Sequence, residues 1–240
     1  NGFVGRSVCR ALRKAGHTLS GTSRDCSLRA GPENIPMYHT SEIDKNTDWH
    51  YPVLGADAVV HLAARVHLMM DDASNPLAEY RRVNLYGTCS LAKAAASAGV
   101  KRLVFLSTVK ANGEKTTDRA FSEKDIPLPD GPYAVSKLEA EQALSDISGT
   151  HGMEVVILRA PLVYGPHVKG NFFTLLDACA RRKALPLGSV SNRRSLLYVN
   201  NLASAVMAGL NHPAAAGKTF LVSDGEDIST PDLVRQLSSF

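Results

Sequence analysis

A tyrosine and a lysine four residues apart are the pair in this sequence best suited to proton transfer. Tyr133 and Lys137 belong to the segment Tyr-Ala-Val-Ser-Lys, which is predicted to open a helix after a polar loop. Side chains four apart on a helix share one face. An ammonium beside a phenol favours the phenolate, so we expect Lys137 to lower the pKa of Tyr133 from its ordinary value near ~10. The phenol would then exchange a proton with a substrate oxygen.

Two hydroxyls end the strand predicted before this helix. Ser107 and Thr108 follow the apolar run 104–106. A hydroxyl at that strand end could hold a substrate alcohol or carbonyl next to Tyr133. The combination predicts that a proton moves on and off an oxygen while a hydride moves on and off its carbon.

The elements around these side chains alternate between strand and helix. Periodicity predicts helices and apolar strands in turn as far as Pro166, with strands at 17–24, 56–64, 102–107 and 154–159 and helices at 6–16, 71–100 and from 133 onwards. This alternation favours an α/β fold with a parallel, doubly wound sheet. Ligands of such sheets bind at the carboxyl ends of strands, where Ala63, Thr108 and Pro161 fall. His61 is interpreted as a packed strand residue rather than a catalyst.

Two glycines three apart open the sequence. Gly2 and Gly5 flank Phe3 and Val4 at the start of the first helix. Such glycines let a phosphate approach backbone N–H groups, although a glycine turn before any helix would look the same. In a nucleotide-binding βαβ unit a strand precedes this motif, and we expect that about one strand is missing here.

Two further polar positions have two interpretations each. Ser23-Arg24 ends the second predicted strand, where an arginine accommodates a 2′-phosphate and an acid would hold ribose hydroxyls. The pair favours a pocket that tolerates NADP, unless Arg24 is only a loop residue that faces solvent.

Asn84 lies on the apolar stripe of the 71–100 helix, where its buried amide must find a hydrogen-bond partner. It is either a satisfied core residue or a hydrogen-bonding group that holds backbone near the active site.

Composition argues against several classes of protein. The formal charge is +4, and basic residues form only short clusters, which argues against a nucleic-acid partner. No apolar run approaches the ~20 residues that span a bilayer, and we expect a cytoplasmic location. The cysteines lack C-x-x-C spacing, which argues against zinc and favours reduced thiols at Cys9, Cys26, Cys89 and Cys179.

The alternation changes after residue 165. Helices are predicted at 171–182 and 201–210 and from 230, with strands at 193–199 and 218–222. We therefore predict a nucleotide-binding domain over 1–165 and a smaller lobe, itself incomplete, over 166–240.

The ordered motifs resemble those of the extended short-chain dehydrogenases/reductases, and more narrowly the NAD-dependent epimerase/dehydratase group that acts on nucleotide sugars. They are Gly2-Phe3-Val4-Gly5, His61-Leu62-Ala63-Ala64, Asn84, Ser107-Thr108, Tyr133-x-x-x-Lys137 and Arg159-x-Pro161. The resemblance implies a Rossmann-type domain followed by a substrate-binding lobe. It also implies a homodimer built through the helices at 71–99 and 133–147.

The resemblance assigns roles to individual residues. Tyr133 matches the proton donor and acceptor, Lys137 the residue that lowers its pKa and holds the nicotinamide ribose, and Thr108 the active-site hydroxyl, with Ser107 as its substitute. Asn171 and Arg194 match positions that hold the substrate diphosphate, although Arg194 could also be a surface ion pair. The cofactor, NAD or NADP, is matched by Gly2, Phe3, Val4, Gly5, Ser23, Arg24, Leu62, Ala63, Ala64, Asn84, Ser107, Tyr133, Lys137 and Pro161.

The residues after Thr108 narrow the chemistry. Val109-Lys110 stands where the sugar 4,6-dehydratases carry an Asp-Glu pair, so dehydration is not expected. Further motifs resemble a bacterial subgroup that is UDP-glucose 4-epimerase-like and includes reductases of UDP-4-keto-6-deoxy sugars in polysaccharide synthesis. The sequence therefore predicts C4 chemistry on a nucleotide sugar, by a 4-epimerase or a 4-keto-sugar reductase. A non-catalytic dinucleotide-binding regulatory module is the alternative.

Overall fold

The protein is described here by a computed structural model, which covers residues 2–25, 27, 30–40, 42–66 and 73–239. The helices are α1 Phe3–Lys14, α2 His50–Val53, α3 Pro76–Arg81, α4 Thr88–Ser97, α5 Gly131–His151, α6 Asn171–Ala180, α7 Val199–Asn211 and α8 Thr230–Ser238. The strands are β1 Gly21–Ser23, β2 Met37–His39, β3 Ala58–His61, β4 Arg102–Thr108, β5 Glu154–Ala160, β6 Leu162–Tyr164, β7 Arg194–Tyr198, β8 Thr219–Leu221 and β9 Asp227–Ile228.

A four-stranded parallel sheet forms the centre of the protein. Its strand order is β3-β4-β5-β8, and strands β1 and β2 form a separate parallel pair. In the central register Thr108 lies beside Ala160, and Ser107 lies beside Arg159. The parallel α/β arrangement predicted from the alternation of elements is confirmed.

Alternating side chains of the central strands enter two different cores. Leu103 and Phe105 of β4 belong to a core that Leu144 of α5 also enters, together with residues of α4. Val104, between them, belongs to the opposite core with Leu202 of α7 and with residues of α1. Successive residues of a strand point to opposite faces, so an almost uniformly apolar strand needs a helical layer on each face. The sheet is therefore covered on both sides, as a doubly wound fold requires.

Two elements that follow residue 165 belong to the central layers. Strand β8 pairs in parallel with β5, and α7 packs on the same face of the sheet as α1. Arg102 at the start of β4 also donates to the carbonyl oxygens of Gly209, Leu210 and His212 at the end of α7, at 3.1, 2.7 and 3.0 Å. Residues 199–222 thus return to the unit predicted to end at residue 165, because a further βαβ crossover completes the sheet.

A second, three-stranded sheet is separate from the central one. Strands β6, β7 and β9 form it, and β7 runs antiparallel to β9. Helices α6 and α8 supply Phe172 and Leu233 to its apolar cluster.

The long helix predicted over 71–100 is divided. Asn75 accepts a hydrogen bond from the Ala78 amide at 3.1 Å and caps α3, which begins at Pro76. A π-helical segment, Arg82–Gly87, separates α3 from α4. Residues 71 and 72 lie outside the described residues.

Within the described part of the chain, no helix combines the length and the apolar content that crossing a bilayer would require.

Candidate active site

Thr108 is placed by the end of strand β4. Its hydroxyl oxygen accepts a hydrogen bond from the Lys110 amide at 3.3 Å and caps the short 3-10 turn that follows. Its side chain also faces the Tyr133 phenol closely enough to lower the pKa of that phenol. The strand end and the helix start therefore bring the predicted hydroxyl and phenol together, as the sequence analysis expected.

Tyr133 lies in the first turn of α5, directly after Pro132. Its ring meets Tyr80 edge-on, with the ring centroids 6.1 Å apart. Burial raises the pKa of Tyr133 to about 12, and the hydrogen bond with Thr108 opposes that increase. The prediction that the pKa of Tyr133 is lowered is therefore wrong for the arrangement in this structure. The phenol is protonated at neutral pH.

Lys137 is buried one turn further along α5, with 2% of its surface exposed. Its Nζ donates to the Leu106 carbonyl oxygen at 2.7 Å and lies 3.7 Å from the centroid of the Phe105 ring. Burial lowers the pKa of Lys137 to about 7, and the Glu141 carboxylate opposes that decrease. The ammonium is thus engaged with strand β4, which explains why it does not lower the pKa of Tyr133 here.

His61 has the structural role that the sequence analysis gave it. Its Nε2 lies 2.9 Å from the Thr88 hydroxyl, and its ring stacks on Phe105 with centroids 5.6 Å apart. Burial and the charge of Lys137 lower the pKa of His61 to about 3. The imidazole is therefore neutral at physiological pH and packs against Phe105.

Asn84 combines the two roles that the sequence left open. It is buried in the π-helical segment, with 1% exposed. Its Oδ1 accepts from the Arg65 amide at 2.8 Å, and its Nδ2 donates to the Arg65 carbonyl at 3.1 Å and to the Ser136 hydroxyl at 3.0 Å. One satisfied amide thus joins the segment after β3 to the helix that carries Tyr133.

Ser107 points to a different partner from Thr108. Its hydroxyl donates to the buried Glu141 carboxylate, which also receives two arms of Arg159. The Ser107 hydroxyl is therefore engaged away from Tyr133, whereas Thr108 is the hydroxyl that faces the phenol.

The candidate cofactor rim consists of backbone and small side chains. Gly2 and Gly5 are at the start of α1, and a Cβ added to either would meet no described atom within 4 Å. The first N–H groups of a helix lack intrahelical acceptors, so this open end can receive a phosphate. Leu62, Ala63 and Ala64 follow β3, while Pro161 follows β5, at the same edge of the sheet. These residues fit a dinucleotide, although their cofactor-binding role stays a prediction.

The remaining predicted positions lie further out. Ser23 ends β1, and its hydroxyl accepts from the Asp25 amide at 3.1 Å, while Arg24 is exposed. Asn171 begins α6 and Arg194 begins β7, and both are exposed on the second lobe. Their roles toward cofactor and substrate also stay predictions.

Sequence reasoning missed the buried residues behind the site. Glu141 was not singled out, and Arg159 was quoted without a role. A spacing signal existed for Glu141, because it follows Lys137 by four residues and so lies on the same helix face. Among the described residues, no cluster of His, Cys, Asp and Glu is arranged to hold a metal ion.

This chain is similar in sequence and in fold to known proteins. The family model described as "NAD dependent epimerase/dehydratase family" matches residues 1–223. UDP-glucose 4-epimerase of Vibrio cholerae is 40% identical over 240 residues, which are 99% of this chain and 72% of that protein. Two solved structures each align with 99% of this chain and 80% of theirs: Thermus thermophilus UDP-glucose 4-epimerase with NAD, at TM-score 0.84 and 24% identity, and Bacillus cereus UDP-glucuronic acid 4-epimerase with NAD, at 0.83 and 25%.

The matched region contains Thr108, Tyr133 and Lys137 together with the glycines at the start of α1. The fold, the order of the motifs and the family model lead to one assignment. This chain belongs to the NAD-dependent epimerase/dehydratase family.

Proposed function

We propose that this protein is an NAD-dependent UDP-sugar 4-epimerase, which inverts C4 of the sugar by oxidation and reduction. The observation that carries the proposal is the contact between the Thr108 hydroxyl and the Tyr133 phenol at the carboxyl edge of the sheet. The identity of 40% with a UDP-glucose 4-epimerase over nearly the whole chain supports the choice of substrate.

The proposed cofactor site is the rim at the same edge. Backbone N–H groups at Gly2–Gly5 would hold the pyrophosphate, and Ala63, Ala64 and Pro161 would leave room for the rings. Lys137 would hold the nicotinamide ribose, as the resemblance implies. NAD bound at this rim would supply the hydride acceptor for the oxidation at C4 and the hydride donor for the reduction.

Two side chains of the protein would position and transfer the proton of the C4 oxygen. Thr108 would orient the C4 oxygen by a hydrogen bond, and Tyr133 would exchange the proton of that oxygen. With a pKa of about 12, the phenol carries its proton at neutral pH, and this is the form that can donate to a 4-keto oxygen. To accept a proton at neutral pH it needs a cation nearby, and Lys137 is the buried cation of the same helix face.

Proton NMR of the sugar tests this proposal. The protein is incubated with UDP-glucose or UDP-N-acetylglucosamine without added reductant. The appearance of the C4 epimer is the expected result, because the hydride is recycled. If neither UDP-glucose nor UDP-N-acetylglucosamine gave an epimer, the result would contradict the proposed epimerase.

A 4-keto-sugar reductase is the second candidate, and the protonated state of Tyr133 is compatible with it. A reductase needs only the donor form of the phenol, and the raised pKa of Tyr133 supplies that form. Oxidation of NADPH or NADH on addition of a UDP-4-keto-6-deoxy sugar, with no epimer in the first assay, would identify it. Dehydration is not proposed, because Lys110 stands where an acid would be needed and pairs with Glu114.

Three further proposals concern the surroundings of the site. Asn171 and Arg194 would bind the UDP diphosphate, since a guanidinium pairs well with phosphate oxygens. Two copies would pair through α4 and α5, and light scattering would test whether a dimer forms.

A cytoplasmic location is supported by free thiols at Cys9, Cys89 and Cys179, while Cys26 lies outside the described residues.

A further inference from the structure

A buried ion pair lies behind the Thr108–Tyr133 contact. Arg159 of β5 donates to Glu141 of α5 through Nε, at 3.1 Å to each carboxylate oxygen, and through Nη2 at 2.5 Å. The two side chains are 6% and 5% exposed. Such a pair is costly to desolvate, so its stabilising effect alone is weak grounds for its presence.

The pair is connected to the site on two sides. Ser107, the neighbour of Thr108, donates to the same carboxylate. Arg159 Nη1 donates to Asn112 Oδ1 at 2.9 Å, and Asn112 Nδ2 donates to the Ser122 carbonyl at 2.9 Å. Glu141 and Arg159 therefore join α5, both central strands and the loop that precedes Tyr133.

Glu141 also faces the charge of Lys137. The two residues are one turn apart on α5, and the carboxylate favours the charged ammonium. His61 of β3 also interacts with the ammonium and is neutral. Arg159 of β5 is bonded to the Glu141 carboxylate, and Tyr133 lies one turn before Lys137 on α5. Among these, Glu141 is the group whose negative charge can offset the burial of Lys137.

We propose that Glu141, held by Arg159 and Ser107, is a positioning residue that sets α5 against β4 and presents a balancing negative charge to the Lys137 ammonium. This inference rests on the proposed C4 chemistry, in which Lys137 serves as a cation. Glu141 acts through Lys137 and Tyr133, without contact with the substrate.

The alkaline limb of the pH–rate profile tests this role. Activity that needs the Lys137 ammonium is lost as the pH rises through the pKa of Lys137. Glu141→Gln removes the negative charge and keeps the shape, so we expect the limb to move to lower pH by about one unit or more. Arg159→Gln removes the opposing positive charge, so the limb should move to higher pH.

A matched control lies at the other end of the same strands. Glu154 of β5 pairs with Arg102 of β4 at 2.6 Å, about 20 Å of strand away from Thr108. Glu154→Gln should leave the limb and kcat unchanged. If the alkaline limbs of Glu141→Gln and Arg159→Gln lie at the same pH as the limb of Glu154→Gln, the proposal is overturned.

Thermal unfolding across pH provides a readout without turnover. Stability rises with pH between the folded and unfolded pKa of Lys137, and in Glu141→Gln this rise should begin at lower pH. A failure of the C4 chemistry would not affect this result, so the two failures are distinguishable. If either single variant does not fold, the double variant removes both charges of the Glu141–Arg159 pair and leaves neither partner unpaired, and we expect a folded protein with kcat at least tenfold lower. A folded double variant with wild-type kcat would overturn the proposal.

Discussion

Replacing Lys137 with methionine should stabilise the protein while it removes activity. Methionine has a similar length and no charge, so it suits the buried site between Phe105 and the Leu106 carbonyl. The native ammonium is retained there at an energetic cost. The variant therefore separates the requirement for catalysis from the requirement for folding.

The magnitude follows from the pKa of Lys137, which falls from 10.5 to about 7. Each pH unit is worth ~1.4 kcal/mol, so the cost of the buried charge is about 5 kcal/mol. That cost is fully present below pH 7, and stability recovers as the pH rises toward 10.5, because only the unfolded chain then binds the proton. Losing the hydrogen bond to Leu106 and the contact with Phe105 offsets about half of the gain. We expect a net stabilisation of about 2 kcal/mol at pH 6.

Thermal unfolding at a series of pH values measures this effect. At pH 6, Lys137→Met should melt about 4–8 °C above the wild type. The difference should close near pH ~9 and reverse by pH ~10, because the charge then costs little while the contacts of the lysine are still lost. Lys45→Met, at an exposed position, should show neither effect and serves as the control. A variant that melts below the wild type at pH 6 would refute the reasoning that burial of this charge opposes folding.

Three other substitutions test separate parts of the site. Tyr133→Phe should lower kcat by at least ~100-fold while bound NAD, measured after gel filtration, stays within a few-fold of the wild type; turnover near the native rate would remove Tyr133 from the chemistry. Asn84→Ala gives up three hydrogen bonds and should lower the free energy of unfolding by about 2–4 kcal/mol in urea, and a loss below about 0.5 kcal/mol would contradict its role in joining Arg65 to Ser136. Arg24→Ala should weaken NADP binding about tenfold and leave NAD binding unchanged, whereas equal effects on both would show that Arg24 reads no 2′-phosphate.

Local patterns predicted the elements that carry the site. Strand β4 and the start of α5 follow directly from an apolar run and from Pro132 in the first helical turn. The pairing of Thr108 with Tyr133 was also expected, because parallel strands end at one edge of a sheet. These features depend on neighbouring residues, which a sequence displays.

Long-range contacts escaped the same reasoning. Strand β8 is three residues long, and it lies beside β5 because α7 crosses back over the sheet. The residues of β8 alone do not indicate that pairing. The pKa of Tyr133 was predicted in the wrong direction because spacing shows which face Lys137 shares, but not that its ammonium bonds to Leu106. The Glu141–Arg159 pair joins residues 18 apart on different elements, and a single sequence shows the two ends without the contact.

The most direct test of the proposed C4 chemistry uses UDP-glucose that carries deuterium at C4. The protein is incubated with this substrate and no added reductant, and the product is examined by proton NMR and mass spectrometry. If the hydride leaves C4 and returns to the same carbon from the other face, the epimer keeps its deuterium. An epimer that has lost deuterium to solvent, or no epimer at all, would contradict the account.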